Sequence, residues 1–238
     1  MASDGPSPPT DEEPASLGRL TVRAPDVEAR DYSRSDWIET GDWETEFYAP
    51  ASCRDAASVP LLVLFHGAGG LPQRTLPMIA PLADELGFLV FAPKSLGMTW
   101  DIMEGGFGPD VKFIDESLKL IFAEHPVDPG RVGVSGFSDG ASYALSIGLS
   151  NGDLFSDAIA FSPGFSMNLG AVGRPRIFIS HGERDRVLPI DMCARPAARQ
   201  LARAGYDVLY KEFPGGHTAP PELVDIAVRR FVSGGADA

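Results

Sequence analysis

Four short apolar runs in this chain of 238 residues each break off into glycine and into side chains able to do chemistry. "PLLVLF" leads into His66-Gly67-Ala68-Gly69-Gly70, and "RVGVS" into Gly136-Phe137-Ser138-Asp139-Gly140. "RIFIS" leads into His181-Gly182-Glu183-Arg184-Asp185, and "DVLYKEF" into Pro214-Gly215-Gly216-His217. The first run, residues 60–67 with its His-Gly end, is continuously apolar, as in a strand covered on both faces. Stretches with helical spacing of apolar residues lie between such runs: 77–87, 110–125, the segment after Ser138, 190–204 and 221–231. Repeated strand-then-helix units build a mainly parallel central sheet with helices on both faces, an α/β fold. In an open sheet of that kind ligands bind beyond the carboxyl ends of the strands. All four polar sets therefore share one edge.

The rest of the chain fits one domain. Residues 1–16 are rich in Pro, Ser, Asp and Glu and read as a disordered tail. Residues 17–238 read as a single domain, long enough for a sizeable core. Residues 19–24 and 43–50 alternate like antiparallel strands that extend the sheet at its N-terminal edge. Further strands are expected at 88–93 and 157–163. The net charge of −13 sets the chain against phosphate backbones and anionic membranes, so no nucleic acid and no membrane partner is expected. No apolar run reaches the ~18 residues of a membrane span. The first residues have neither a basic start nor an apolar stretch, so they do not read as a secretory signal, and a cytoplasmic protein is expected, monomer or homodimer. Cys53 and Cys193 lack a metal or redox spacing and read as free thiols. No metal and no cofactor is expected.

A serine at a sharp strand-to-helix turn, with glycine two positions before and two after, fits a nucleophile held up at the sheet edge. The helix behind Ser138 aims free N–H groups at the site. The plain alternative is a helix N-cap serine. A serine hydroxyl needs a base. His217 follows the last strand and lies after the serine in the chain. His66 and His181 read as histidines that orient loop backbone, and His125 as a helix C-terminal cap. The acid belongs after a strand between Ser138 and His217, which favours Asp185 over Glu183, Asp191 and Asp207. Of the two N–H donors an oxyanion needs, one is expected from Asp139 and the other from Ala68, with Gly69 second.

These motifs resemble the α/β-hydrolase superfamily. The likeness runs over about 59–232. "LFHGAGG", "GFSDGASYAL", "HGERDRVLP" and "PGGHTAPPE" are similar to the phospholipase/carboxylesterase group. The run from "GPDVKFIDESL" to "DPGRVGVSGFSDGAS" is also similar to the polyhydroxybutyrate depolymerase and feruloyl esterase-like branch. The resemblance implies a Ser138–Asp185–His217 triad with Ala68 and Asp139 as oxyanion donors. Two positions depart from the carboxylesterase group: Asp139 stands where Gln is usual, and Ala141 where Gly is usual. Dienelactone hydrolases carry Cys at the elbow, so Ser138 argues against that activity.

The segment 163–175 is too short for a cap domain, so an open site is expected. Met98, Trp100 and Phe107 from the loop 94–109, with Phe165 and Leu188, are candidate walls for an acyl or aromatic group. These features together predict a serine carboxylesterase for small or medium esters. A thioesterase, a peptidase, or a binding protein that kept the fold remain the alternatives.

Overall fold

The computed structural model describes residues 13–24 and 45–235. Seven strands form one sheet among these residues: β1 Glu46–Tyr48, β2 Val59–Phe65, β3 Leu89–Ala92, β4 Val127–Phe137, β5 Asp157–Phe161, β6 Arg176–Gly182 and β7 Val208–Phe213. Their order across the sheet is β1-β3-β2-β4-β5-β6-β7. Only β1 runs antiparallel, against β3, and every other neighbour pair is parallel. Six helices accompany them: α1 Pro72–Thr75, α2 Ala80–Leu86, α3 Pro109–Glu124, α4 Asp139–Ser150, α5 Ala194–Arg203 and α6 Pro221–Val232.

Every residue of β2 is buried, which explains its unbroken apolar sequence. Successive side chains alternate between the two faces. Leu61, Val63 and Phe65 join one core with Val111, Ile114 and Leu118 of α3, Ala144 and Ile147 of α4, and Leu201 of α5. Leu62 and Leu64 join a second core with Ala83 of α2 and Val224, Val228 and Phe231 of α6. Helices thus cover both faces, as expected. The helices end where the sequence marks a stop. Gly87 takes the left-handed conformation (φ 72°) that closes α2.

Three expectations change. Residues 19–24 form no strand. Three of their N–H groups go to side chains far along the chain: Leu20 donates to Asn151, and Thr21 and Val22 donate to Asp115. Leu20 and Val22 are buried without joining the sheet, so the edge gains one antiparallel strand among the described residues. Pro14–Leu17 form a 3₁₀ turn with Ala15 buried, so packed chain begins before residue 17. Residues 1–12 of the expected tail, and 43–44 of the second expected strand, lie outside the described residues. Finally, α5 starts at Ala194 rather than near 190, leaving Asp191 on an exposed turn paired with Arg195 at 2.7 Å. No described helix is long and apolar enough to cross a membrane.

Candidate active site

The four polar sets do meet at one edge. Ser138 stands between β4 and α4 with φ 58° and ψ −122°, a conformation that L-residues rarely adopt. Crowding at this turn explains the flanking glycines. A methyl on Gly136 would lie 2.2 Å from the Gly140 carbonyl oxygen, and one on Gly140 would lie 2.3 Å from that of Phe65. The backbone N–H of Ser138 donates to Phe161 on the neighbouring strand. The serine is thus fixed from both sides.

His217, in the loop between β7 and α6, reaches Ser138 Oγ through Nε2 at 2.9 Å and Asp185 Oδ2 through Nδ1 at 2.7 Å. A carboxylate accepts only, so Nδ1 carries the proton and Nε2 is left to accept from the serine hydroxyl. Asp185 is buried, and its other oxygen accepts the N–H groups of Val187 and Leu188, both at 2.9 Å. Burial alone would raise the carboxyl. The Leu188 N–H, the His217 ring and the Val187 N–H outweigh it and hold Asp185 below its ordinary range. The arrangement can carry a proton from Ser138 to His217 while Asp185 steadies the resulting imidazolium.

Around the serine, the loop after β2 runs in close contact. A Cβ on Gly67 would lie 3.3 Å from that of Ser138. The N–H groups of Ala68 and Asp139 have no acceptor among the described residues, whereas that of Gly69 donates to the Met98 carbonyl at 2.9 Å. The second choice, Gly69, therefore has its donor already engaged. His66 does orient backbone. Its Nδ1 donates to Gly67 O at 2.7 Å, and its Nε2 accepts the Ser95 N–H at 3.1 Å. Burial keeps this ring below its ordinary value and hence neutral.

Two further supports carry no mark in the sequence. Thr99 donates its hydroxyl to the Asp139 carboxylate at 2.8 Å, tying the loop 94–109 to the turn that carries Ser138. Ser162, also at positive φ (54°), donates to Thr218 O beside His217 at 3.1 Å. Both are ordinary hydroxyl residues whose partners lie far away in sequence, so no local pattern marks them.

The expected walls divide. Trp100 is completely buried. It stacks on Tyr143 (4.8 Å between ring centres) and donates Nε1–H to the His66 carbonyl. Phe107 packs on Tyr143 and over Gly18. Both are core residues, because each finds aromatic partners beneath the loop, and neither offers surface to a ligand. Met98 and Phe165 are exposed, and half-buried Leu188 lies against Gly164. His125 does stand at the C-cap of α3, with its backbone N–H on the Ile121 carbonyl, but its ring turns inward. Its ring lies 4.6 Å from that of Phe47, its Nε2 is buried without a partner, and burial holds it neutral. Cys53 and Cys193 are unpaired. Among the described residues no three His, Cys, Asp or Glu side chains are grouped to hold a metal.

A parallel sheet with one antiparallel edge strand, and a Ser–His–Asp chain across its carboxyl ends, defines an α/β-hydrolase fold. Solved structures share it. Esterase PE8 is 20% identical, with 79% of this chain and 96% of that one covered at a TM-score of 0.64. The Bacillus cereus carboxylesterase is 19% identical, with 82% and 96% covered at 0.64. An acetyl xylan esterase from Aspergillus awamori is 18% identical, with 80% and 93% covered at 0.63. No protein-family model and no curated protein matches the sequence.

Proposed function

We propose that the protein is a serine esterase that hydrolyses small or medium carboxylic esters, aromatic acyl groups included. The observation that carries this is the unbroken path from Ser138 Oγ through His217 to buried Asp185, at 2.9 and 2.7 Å. His217 takes the Ser138 proton as Oγ attacks the ester carbonyl. The N–H groups of Ala68 and Asp139 receive the oxyanion. His217 then protonates the leaving alcohol, which departs and leaves an acyl-serine. Water, deprotonated by His217, attacks that ester and frees the acid and Ser138.

The substrate range follows from what borders the serine. β5 and β6 are joined by a connection at 162–175 that contains no helix or strand, so no inserted domain covers Ser138 from there. Exposed Met98 and Phe165 and half-buried Leu188 are the apolar side chains proposed to meet an acyl chain. The Asp139 carboxylate, beside the nucleophile, disfavours anionic substrates.

The test is turnover of p-nitrophenyl esters of increasing acyl length, with a feruloyl ester, a thioester and an aminoacyl amide alongside. Strongest turnover is expected on short acyl esters, and Ser138→Ala should lower kcat by at least about 10⁴-fold. Faster turnover of the thioester or amide would make the protein a thioesterase or peptidase on the same residues. Equal rates in wild type and variant would remove Ser138 from the chemistry.

A further inference from the structure

His181, next to last on β6, is fully buried a few ångströms from the triad, and the reaction above gives it no step. Its Nε2 lies 2.7 Å from the Leu188 carbonyl oxygen and 3.2 Å from Asp185 Oδ2. A carbonyl oxygen only accepts, so Nε2 carries the proton and Nδ1 is bare. That Nδ1 is buried with no partner, so a second proton would have no acceptor. Burial accordingly keeps the ring below its ordinary value. His181 is a neutral donor by construction.

The carboxylate oxygen beside it is the one that serves catalysis. Asp185 Oδ2 accepts from His217 Nδ1 and has His181 Nε2 3.2 Å away, while Oδ1 accepts the Val187 and Leu188 N–H groups. Leu188 closes the circuit, with its N–H on the carboxylate and its carbonyl on His181. We propose that His181 is a positioning residue of the triad: its Nε2–H holds the Leu188 carbonyl, and so the loop whose N–H groups fix Asp185, and lying 3.2 Å from Oδ2 it tempers the carboxylate's hold on the His217 proton.

The physical ground is simple. The positive end of an N–H dipole beside a carboxylate, and a backbone N–H held firmly on it, both lower its basicity. A neutral donor does so without placing a positive charge beside the imidazolium that forms on His217. A charged His181 would oppose that imidazolium. The other titratable or charged groups facing this pair are Glu212 on β7, which is held by Arg195 at 2.6 Å, and Cys193 just before α5. Neither donates to Oδ2.

The proposal rests on the esterase reading, and the experiment separates the two. His181→Leu removes the donor at similar volume, and His181→Gln keeps an N–H. Profiles of kcat/KM against pH are recorded on p-nitrophenyl acetate for wild type and both variants, with circular dichroism to establish folding. In His181→Leu, Asp185 loses the N–H dipole beside Oδ2 and the brace on Leu188, and holds the His217 proton more strongly. The acid limb should therefore move up by about half a pH unit, and kcat should fall more than KM changes. His181→Gln should bring the limb back toward wild type. A folded leucine variant with the wild-type limb overturns the proposal, as does equal loss in both variants with no movement of the limb.

Nitrogen NMR on the unmodified protein tests it without mutation. His181 should be the neutral Nε2–H tautomer throughout the assayed range, and an Nδ1–H or charged ring overturns the proposal. A fully active Ser138→Ala would instead remove the esterase reading. A silent Ser138→Ala with an unmoved limb in His181→Leu would remove only the role of His181.

Discussion

Ser138 sits in a conformation that costs on the order of 1–3 kcal/mol, and its neighbours make that conformation compulsory. The N–H of Ser138 is held by β5, its side chain by His217, and its flanks by contacts that only glycine tolerates. Gly136→Ala places a methyl 2.2 Å from a backbone oxygen that cannot swing aside. It should destabilise the fold by at least about 3 kcal/mol and cut activity in whatever remains folded. Chemical denaturation measures the loss, and a cost under 1 kcal/mol would contradict the close approach. The same crowding made Ser138 legible in the sequence, because glycine at both flanking positions is what such a turn demands. His217 and Asp185 were legible because each follows an apolar strand and the chain order is Ser, acid, His. His181 read only as a backbone-orienting histidine. Its contact with the triad oxygen depends on how the loop at 183–188 folds back, and no local pattern encodes that.

At the scale of elements, the loop 94–109 decides how the site is built. Two carboxylates fold it from within. Asp110 accepts the N–H groups of Leu96 and Asp101, while Asp101 accepts those of Gly108 and Asp110. One Asp101 oxygen is left buried without a partner. Burial, with the Asp110 charge next in size, raises the Asp101 carboxyl to about 6. The folded protein therefore binds this proton more tightly than the unfolded chain. The associated stability is complete below the unfolded value near 3.8 and is lost as pH rises through about 6. Asp101→Asn cannot ionise, so its melting temperature relative to wild type should increase from pH 4 to pH 8. A difference that stays constant over that range would contradict the account. The sequence showed this loop as long and aromatic but not which way its rings face. Trp100 and Phe107 turn inward because Tyr143, on α4, lies beneath them. Residues 19–24 went astray for the same reason. Alternating apolar residues suit any half-buried extended segment, and only Asp115 and Asn151, distant in sequence, show that their N–H groups never meet a strand.

The whole molecule is a two-faced core that holds one edge open. Helices α3, α4 and α5 pack on one side of the sheet and α2 and α6 on the other, so the carboxyl ends of β2, β4, β6 and β7 are left to carry loops. That layout was legible because β2 is apolar throughout, β6 carries an apolar run at Ile177–Ile179, and the helical stretches keep their spacing. The antiparallel edge was partly hidden, since β1 is three residues long and its pairing with β3 is set by the sheet. The proposed chemistry at this edge runs through an acyl-enzyme at Ser138. The most direct measurement is intact-mass spectrometry with peptide mapping after treatment with a fluorophosphonate, on wild type, Ser138→Ala and His217→Ala. A single adduct on Ser138 is expected in wild type, none in Ser138→Ala, and much slower labelling in His217→Ala. Ester hydrolysis by a wild-type protein that takes no label on Ser138, or takes it on another residue, would contradict it.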